Sequence, residues 1–201
     1  MCELTALFAT QLYRARLDAA LAGVLKEACH AIARDDAAGA AWAKAHGYRG
    51  YTSYASLNDL PARDPAFAEA KRALDAHAAA FAKALYLDLG RRRLKLDSIW
   101  INVLAPGGAH SGHIHPHSVL SGTIYLETPP GAGRLKLEDP RLPMMMAAPP
   151  RSEAAPEGLR TFVYVEPQAG DIVMWESFVR HEVTPNAAKK ARVSVSFNYA
   201  W

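Results

Sequence analysis

The pattern of apolar and polar positions divides the chain into two textures. From Asp18 to about Gly90 alanine dominates and the apolar residues recur with a helical period. Leu21, Leu25, Ala28 and Ile32 fall at i, i+4, i+7 and i+11, which marks one stripe along a helix. Asp18 stands where its carboxylate can cap that helix. A second helix is predicted to open at Asp64-Pro65, a cap residue followed by proline at the first helical position. It carries Phe67, Leu74, Phe81 and Leu85 on one side and stops at Gly90. Between the two lies 47–54, rich in turn formers and tyrosine, which reads as a loop able to reach a site.

From Leu94 onward the period changes to that of strands. Leu94 to Asp97 alternates, and Ser98 to Val103 continues as a more apolar strand. Further strands are predicted over 121–126, 134–137, 161–165, 171–175 and 192–199, separated by turns rich in proline and glycine. The stretch from Pro140 to Pro156 holds five prolines and the triplet Met144-Met145-Met146, and reads as a surface excursion, a lid or a connector. Strands gathered downstream of helices predict a mainly β, α+β architecture, a sandwich or barrel under a helical cover. The chain is read as a single domain over 1–201, mostly helical over 1–93 with a β core over 94–201.

Composition narrows the class rather than the chemistry. Half of the residues are hydrophobic and about a fifth are charged, as in ordinary globular proteins. No apolar run approaches the roughly 18 residues needed to span a bilayer, and the first dozen residues lack the marks of a secretory leader, so a cytoplasmic protein is expected. Cys2 and Cys29 form no metal or redox spacing and are read as free thiols. Net charge is only +3, and the tract Arg91-Arg92-Arg93-Leu94-Lys95 reads as a solvated strand end, so no nucleic-acid partner is expected.

Candidate chemistry sits in the histidines. Four of the eight fall between 110 and 117 (His110, His113, His115 and His117), and His181 follows alone. In an extended strand His113 and His115 project to one face, so both imidazoles can meet one ion. His181, 68 residues after His113, returns to that region only in a closed β architecture. Arg192, Ser194, Ser196 and Asn198 share one face of an alternating strand, with Val193, Val195, Phe197 and Tyr199 on the other. An arginine and a serine two apart offer a fork and a hydroxyl to a carboxylate, if that face points inward; an edge strand with a solvated polar face would show the same alternation.

The order His113-x-His115, His181, Arg192-x-Ser194 resembles the 2-oxoglutarate/Fe(II) oxygenase superfamily, whose pattern is HxD/E, H, R/K on a double-stranded β-helix. Trp100-Ile101-Asn102, His115-Pro116, Ser121 to Leu126, Asp139-Pro140-Arg141 and Ser196-Phe197-Asn198 look like a bacterial family within it. The resemblance is firm from Leu94 to Trp201 and looser upstream. It implies a jelly-roll, cupin-like core packed against two or three helices. It also implies Fe(II) held by His113, His115 and His181, and 2-oxoglutarate gripped by Arg192 and Ser194, with Tyr125 and Asn102 as further pocket contacts. The implied reaction hydroxylates a small molecule or peptide, consuming dioxygen and releasing succinate and carbon dioxide.

Two departures bear on this. Ile124 stands where relatives often carry a first tyrosine, and His115 replaces the usual carboxylate. His117 and Glu182 are alternative ligands. A cupin-type enzyme that does not use 2-oxoglutarate and a non-catalytic metal-binding β-helix are the rival readings, and β-edge pairing makes a homodimer a reasonable expectation.

Overall fold

The computed structural model describes residues 2–201. In chain order the elements are β1 (Leu12–Arg16), α1 (Ala19–Asp35), α2 (Ala37–Ala45), β2 (Gly50–Thr52), α3 (Leu60–Arg63), α4 (Pro65–Ala84) and β3 (Lys95–Leu104). There follow β4 (His110–His113), β5 (Leu120–Glu127), β6 (Leu135–Glu138), β7 (Phe162–Val165), β8 (Asp171–Glu176), β9 (His181–Val183) and β10 (Arg192–Ala200). They form two antiparallel sheets, a major one of order β1-β8-β5-β10-β3-β2 and a minor one of order β4-β9-β6-β7. This is the double-stranded β-helix with helices against it.

The caps sit where the residues ask for them. Asp18 accepts from the amides of Ala20 and Leu21, and Asp64 accepts from Ala66, so each satisfies amides that the first helical turn leaves open. α4 ends at Ala84 rather than at Gly90. Its last turn gives way at Tyr86, whose φ is +54°, and the chain then runs without regular structure to β3.

α1 and α4 pack against one face of the major sheet. Leu21 and Leu25 of α1 and Phe67, Leu74 and Phe81 of α4 are buried in one cluster with Ile99, Ile101, Ile124, Val193, Val195, Phe197 and Tyr199. Each such side chain contributes about 1.5–3 kcal/mol through the area it removes from water. A smaller cluster, including Leu135, Leu137, Val173 and Val179, lies between the two sheets.

The N-terminal part is not purely helical. β1 pairs with β8 and β2 pairs with β3, so both edges of the major sheet are covered by strands from the first 52 residues. Gly50 makes the second pairing possible: at φ +132° its Cα approaches the Val103 carbonyl so closely that a Cβ would lie 1.9 Å from that oxygen. The segment read as a loop over 47–54 is therefore partly a strand. Of the proline-rich 140–156 stretch, Leu142–Met144 forms one 3-10 turn, Met144 and Met146 are exposed, and none of it lines the cavity described below.

Candidate metal centre and its cavity

The alternation of β10 decides which of its side chains meet solvent and which meet the space between the sheets. The strand is flanked on both sides, by β5 and by β3, so it is no edge strand. Its apolar residues enter the helix-covered core, while Arg192, Ser194 and Ser196 point into a cavity of about 470 Å³ between the sheets. Arg192 is only 2% exposed, and its Nε has no partner among the described residues. Its guanidinium lies 4.9 Å from the centre of the Tyr125 ring, whose hydroxyl is likewise buried and unpaired. Leaving buried donors unmatched costs about 1–3 kcal/mol each, more for a charged group, so this wall is built for a ligand with acceptors.

Three histidines face Arg192 across the same cavity. His113, the last residue of β4, is directly opposite His181, the first residue of β9, in antiparallel register. Their ring centroids lie 4.3 Å apart, and those of His115 lie 5.1 Å from His113 and 5.2 Å from His181. One nitrogen from each falls within 4.8 Å of the others, a spacing suited to one shared ion. The rings are also oriented for it. Nδ1 of His113 donates to the Ser111 carbonyl at 2.7 Å, and Nδ1 of His181 donates to the Val179 carbonyl at 3.0 Å. A carbonyl only accepts, so each Nδ1 carries the proton and each Nε2 keeps its lone pair for a metal.

His115 reaches the group differently from the strand geometry expected of it. β4 ends at His113, and His115 sits in the turn that follows. That turn is pinned because the His115 amide donates to the Ser177 carbonyl and its carbonyl accepts from Ser118, both at 3.1 Å. Burial drives two of the imidazoles, those of His115 and His181, toward the neutral, ligating form. His181 is pushed down to about 3 by burial and then by its histidine neighbours, and His115 to about 4 by burial and His113. The donor set and the unpaired cationic wall fit a divalent ion with a dianionic co-substrate.

Residues 98–198, just over half of the chain, match the family described as "Putative 2OG-Fe(II) oxygenase". The chain belongs to this family. The cofactors named in that description, Fe(II) and 2-oxoglutarate, are accordingly those of this oxygenase. No curated protein matches it. Among solved structures it is similar to a prolyl-4-hydroxylase of Pseudomonas putida (22% identity, TM-score 0.61, covering 95% of this chain and 88% of that one). It is also similar to AviO1 of Streptomyces viridochromogenes Tue57 (17%, TM-score 0.63, 96% and 90%). A third is HygX of Streptomyces hygroscopicus, solved with nickel and 2-oxoglutarate bound (13%, TM-score 0.61, 96% and 82%). At these identities the likeness is one of fold.

The oxygenase brings His113, His115, His181, Arg192, Ser194, Tyr125 and Asn102 to one place, with differing freedom. Tyr125 and Ser194 line the cavity, and so does Asn102. The carboxamide of Asn102 is already engaged, accepting from Thr52 Oγ1 at 3.1 Å and donating to Ser196 Oγ at 3.1 Å. The alternative ligands lie elsewhere. His117 is exposed and outside the triad, and Glu182, neighbouring His181 on β9, turns to the opposite face and pairs with Lys136 at 2.9 Å.

Three cavity residues had no role assigned from the sequence, although His110 was counted in the histidine cluster. His110 and Tyr48 share a 2.8 Å hydrogen bond although 62 positions separate them. His110 is lowered to about 4 by burial, then by Arg192 and His113, and Tyr48 is raised by burial. Only the tyrosine-rich texture of 47–54 hinted at Tyr48. Trp175 of β8 is the third, packed 4.7 Å from the His181 ring with its Nε1 buried and unpaired. Neither Cys2 nor Cys29 lies at the site; Cys29 is buried under the helices. No helix of the described chain is long and apolar enough to cross a membrane.

Proposed function

We propose that this oxygenase hydroxylates an organic substrate, with His113, His115 and His181 holding Fe(II) and Arg192, Ser194 and Tyr125 holding the distal carboxylate of 2-oxoglutarate. The supporting observation is the meeting, in one cavity, of three imidazoles whose nitrogens converge with a buried guanidinium that has no carboxylate partner among the described residues. When bound, the metal and keto acid supply the oxidising power, with dioxygen consumed and succinate and carbon dioxide released. The chain's own part is positional. Arg192 and the Tyr125 hydroxyl offer donors to one end of the co-substrate, and the carbonyls of Ser111 and Val179 keep two imidazoles in the ligating tautomer. The apolar layer of Leu135, Val173 and Val179 excludes water from beneath the site.

The test is an anaerobic titration of the Fe(II)-loaded protein with 2-oxoglutarate, followed by admission of air. A visible charge-transfer band, oxygen uptake matched by succinate, and weakening of both in Arg192→Ala are the expected results. No band and no effect of that substitution would sink the reading. His115 in place of a carboxylate favours one second reading, a metal oxygenase that needs no keto acid. Oxygen uptake independent of 2-oxoglutarate would select it.

A further inference from the structure

The walls of the cavity narrow the chemistry of the substrate. No aspartate or glutamate lines the cavity among the described residues, and Arg192 supplies its one fixed charge. With three neutral ligands, Fe(II), the 2-oxoglutarate dianion and Arg192 sum to one positive charge, where a site with a carboxylate in place of His115 would sum to zero. The position that lacks the carboxylate also faces a particular wall. The Trp100 ring lies 6.1 Å from His115, and Tyr54 packs edge-on against Trp100 at 5.4 Å. Tyr54 is 61% exposed and so stands at the mouth, with Trp42 and Tyr48 also lining the space. Deeper in, the unpaired Trp175 Nε1 beside His181 adds another donor seeking an acceptor. About 470 Å³ is at the low end for small-molecule pockets, roughly 300–1,000 Å³, and the co-substrate must share it.

We infer that the primary substrate is a compact planar anion, an aromatic or heteroaromatic acid, that stacks on Trp100 and Tyr54 beside His115. The inference rests on the proposed oxygenase function and adds the substrate class. Aromatic walls alone would also suit a cation, which the ring faces attract. Here the excess positive charge of the loaded site, at short range in a partly desolvated space, opposes one.

The full chain loaded with Zn(II) and saturating 2-oxoglutarate tests this without turnover, since Arg192 is then already engaged. Three probes of one ring system are titrated by ligand-observed NMR: 1-naphthylacetate, 1-naphthalenemethanol and 1-naphthylmethylamine. The acid is expected to bind at least fivefold more tightly than the amine, with the alcohol between them. Tyr54→Ala and Trp100→Ala are expected to weaken the acid about threefold and tenfold, leaving 2-oxoglutarate affinity within twofold. His115→Asp is expected to erase the preference for the acid. An acid-to-amine preference below fivefold, absence of binding by all three, or an unchanged acid affinity in Tyr54→Ala overturns the inference while the proposed function stands. Failure of 2-oxoglutarate to bind the Zn(II)-loaded chain overturns both.

Discussion

The two faces of the major sheet are made by the same strands and serve opposite ends. On the outer face, Val193, Val195 and Phe197 of β10 meet α1 and α4 in a core where the apolar side chains have matching neighbours. On the inner face, Arg192, Ser194 and Ser196 of the same strand look into a space with unpaired donors. One residue of displacement along β10 exchanges these faces, because side chains alternate with a period of two. Stability and ligand recognition are therefore separable within single strands: a substitution on one face should alter folding, and on the other, binding.

The sharpest test of that separation is Phe197→Ala. Phe197 is wholly buried, and its truncation should lower unfolding free energy by about 3–5 kcal/mol in denaturant titration. The variant's folded fraction should still bind one equivalent of metal. Its inner-face counterpart is Arg192→Met, which should weaken 2-oxoglutarate by about 2–5 kcal/mol in calorimetry on the metal-loaded protein. The same change removes a buried cation without a carboxylate partner, so the metal-free protein should gain about 1–3 kcal/mol in stability. A loss instead would mean that Arg192 has a structural duty and would blur the comparison.

Acid should expose the same asymmetry more gently. His110, His115 and His181 titrate at about 4, 4 and 3 in the folded, metal-free protein, against about 6.5 when unfolded. The folded state thus binds fewer protons, and stability must fall as pH drops from about 6.5, levelling only below the folded values. Chemical denaturation across pH 7.5 to 3.5 should show this slope, and His110→Asn should reduce it. The smallest effect belongs to the periphery. Asp18→Ala removes the cap of α1 and should cost about 1 kcal/mol, with no change in ligand affinity.

Much of this arrangement was legible in the sequence where a long period carried the signal. The caps at Asp18 and Asp64 and the strands β3, β5, β6, β7, β8 and β10 stand close to where alternation and punctuation place them. The elements that escaped are short or lack apolar alternation. β4 is His-Ser-Gly-His and stops at His113, short of the extended His113-x-His115 pair expected, and β9 is only His-Glu-Val, yet their pairing brings His113 and His181 together. β1 and β2 exist because long-range partners complete their hydrogen bonds, which no local pattern reveals. The convergence of His113, His115 and His181 was readable from spacing and resemblance. The bond between Tyr48 and His110, and the idle indole of Trp175, depend on packing across distant segments and left no comparable mark.

β4 lies at the rim of the minor sheet, with β9 as its one strand neighbour among the described residues and a break in register between its two paired positions. Such a border would ordinarily fray. An ion gripped by His113 and His181 together would rivet it, stapling two stretches 68 residues apart without a covalent bond. Loading the site should then quiet the amides of 110–113 and 181–183 in hydrogen exchange well before it shifts those of α4.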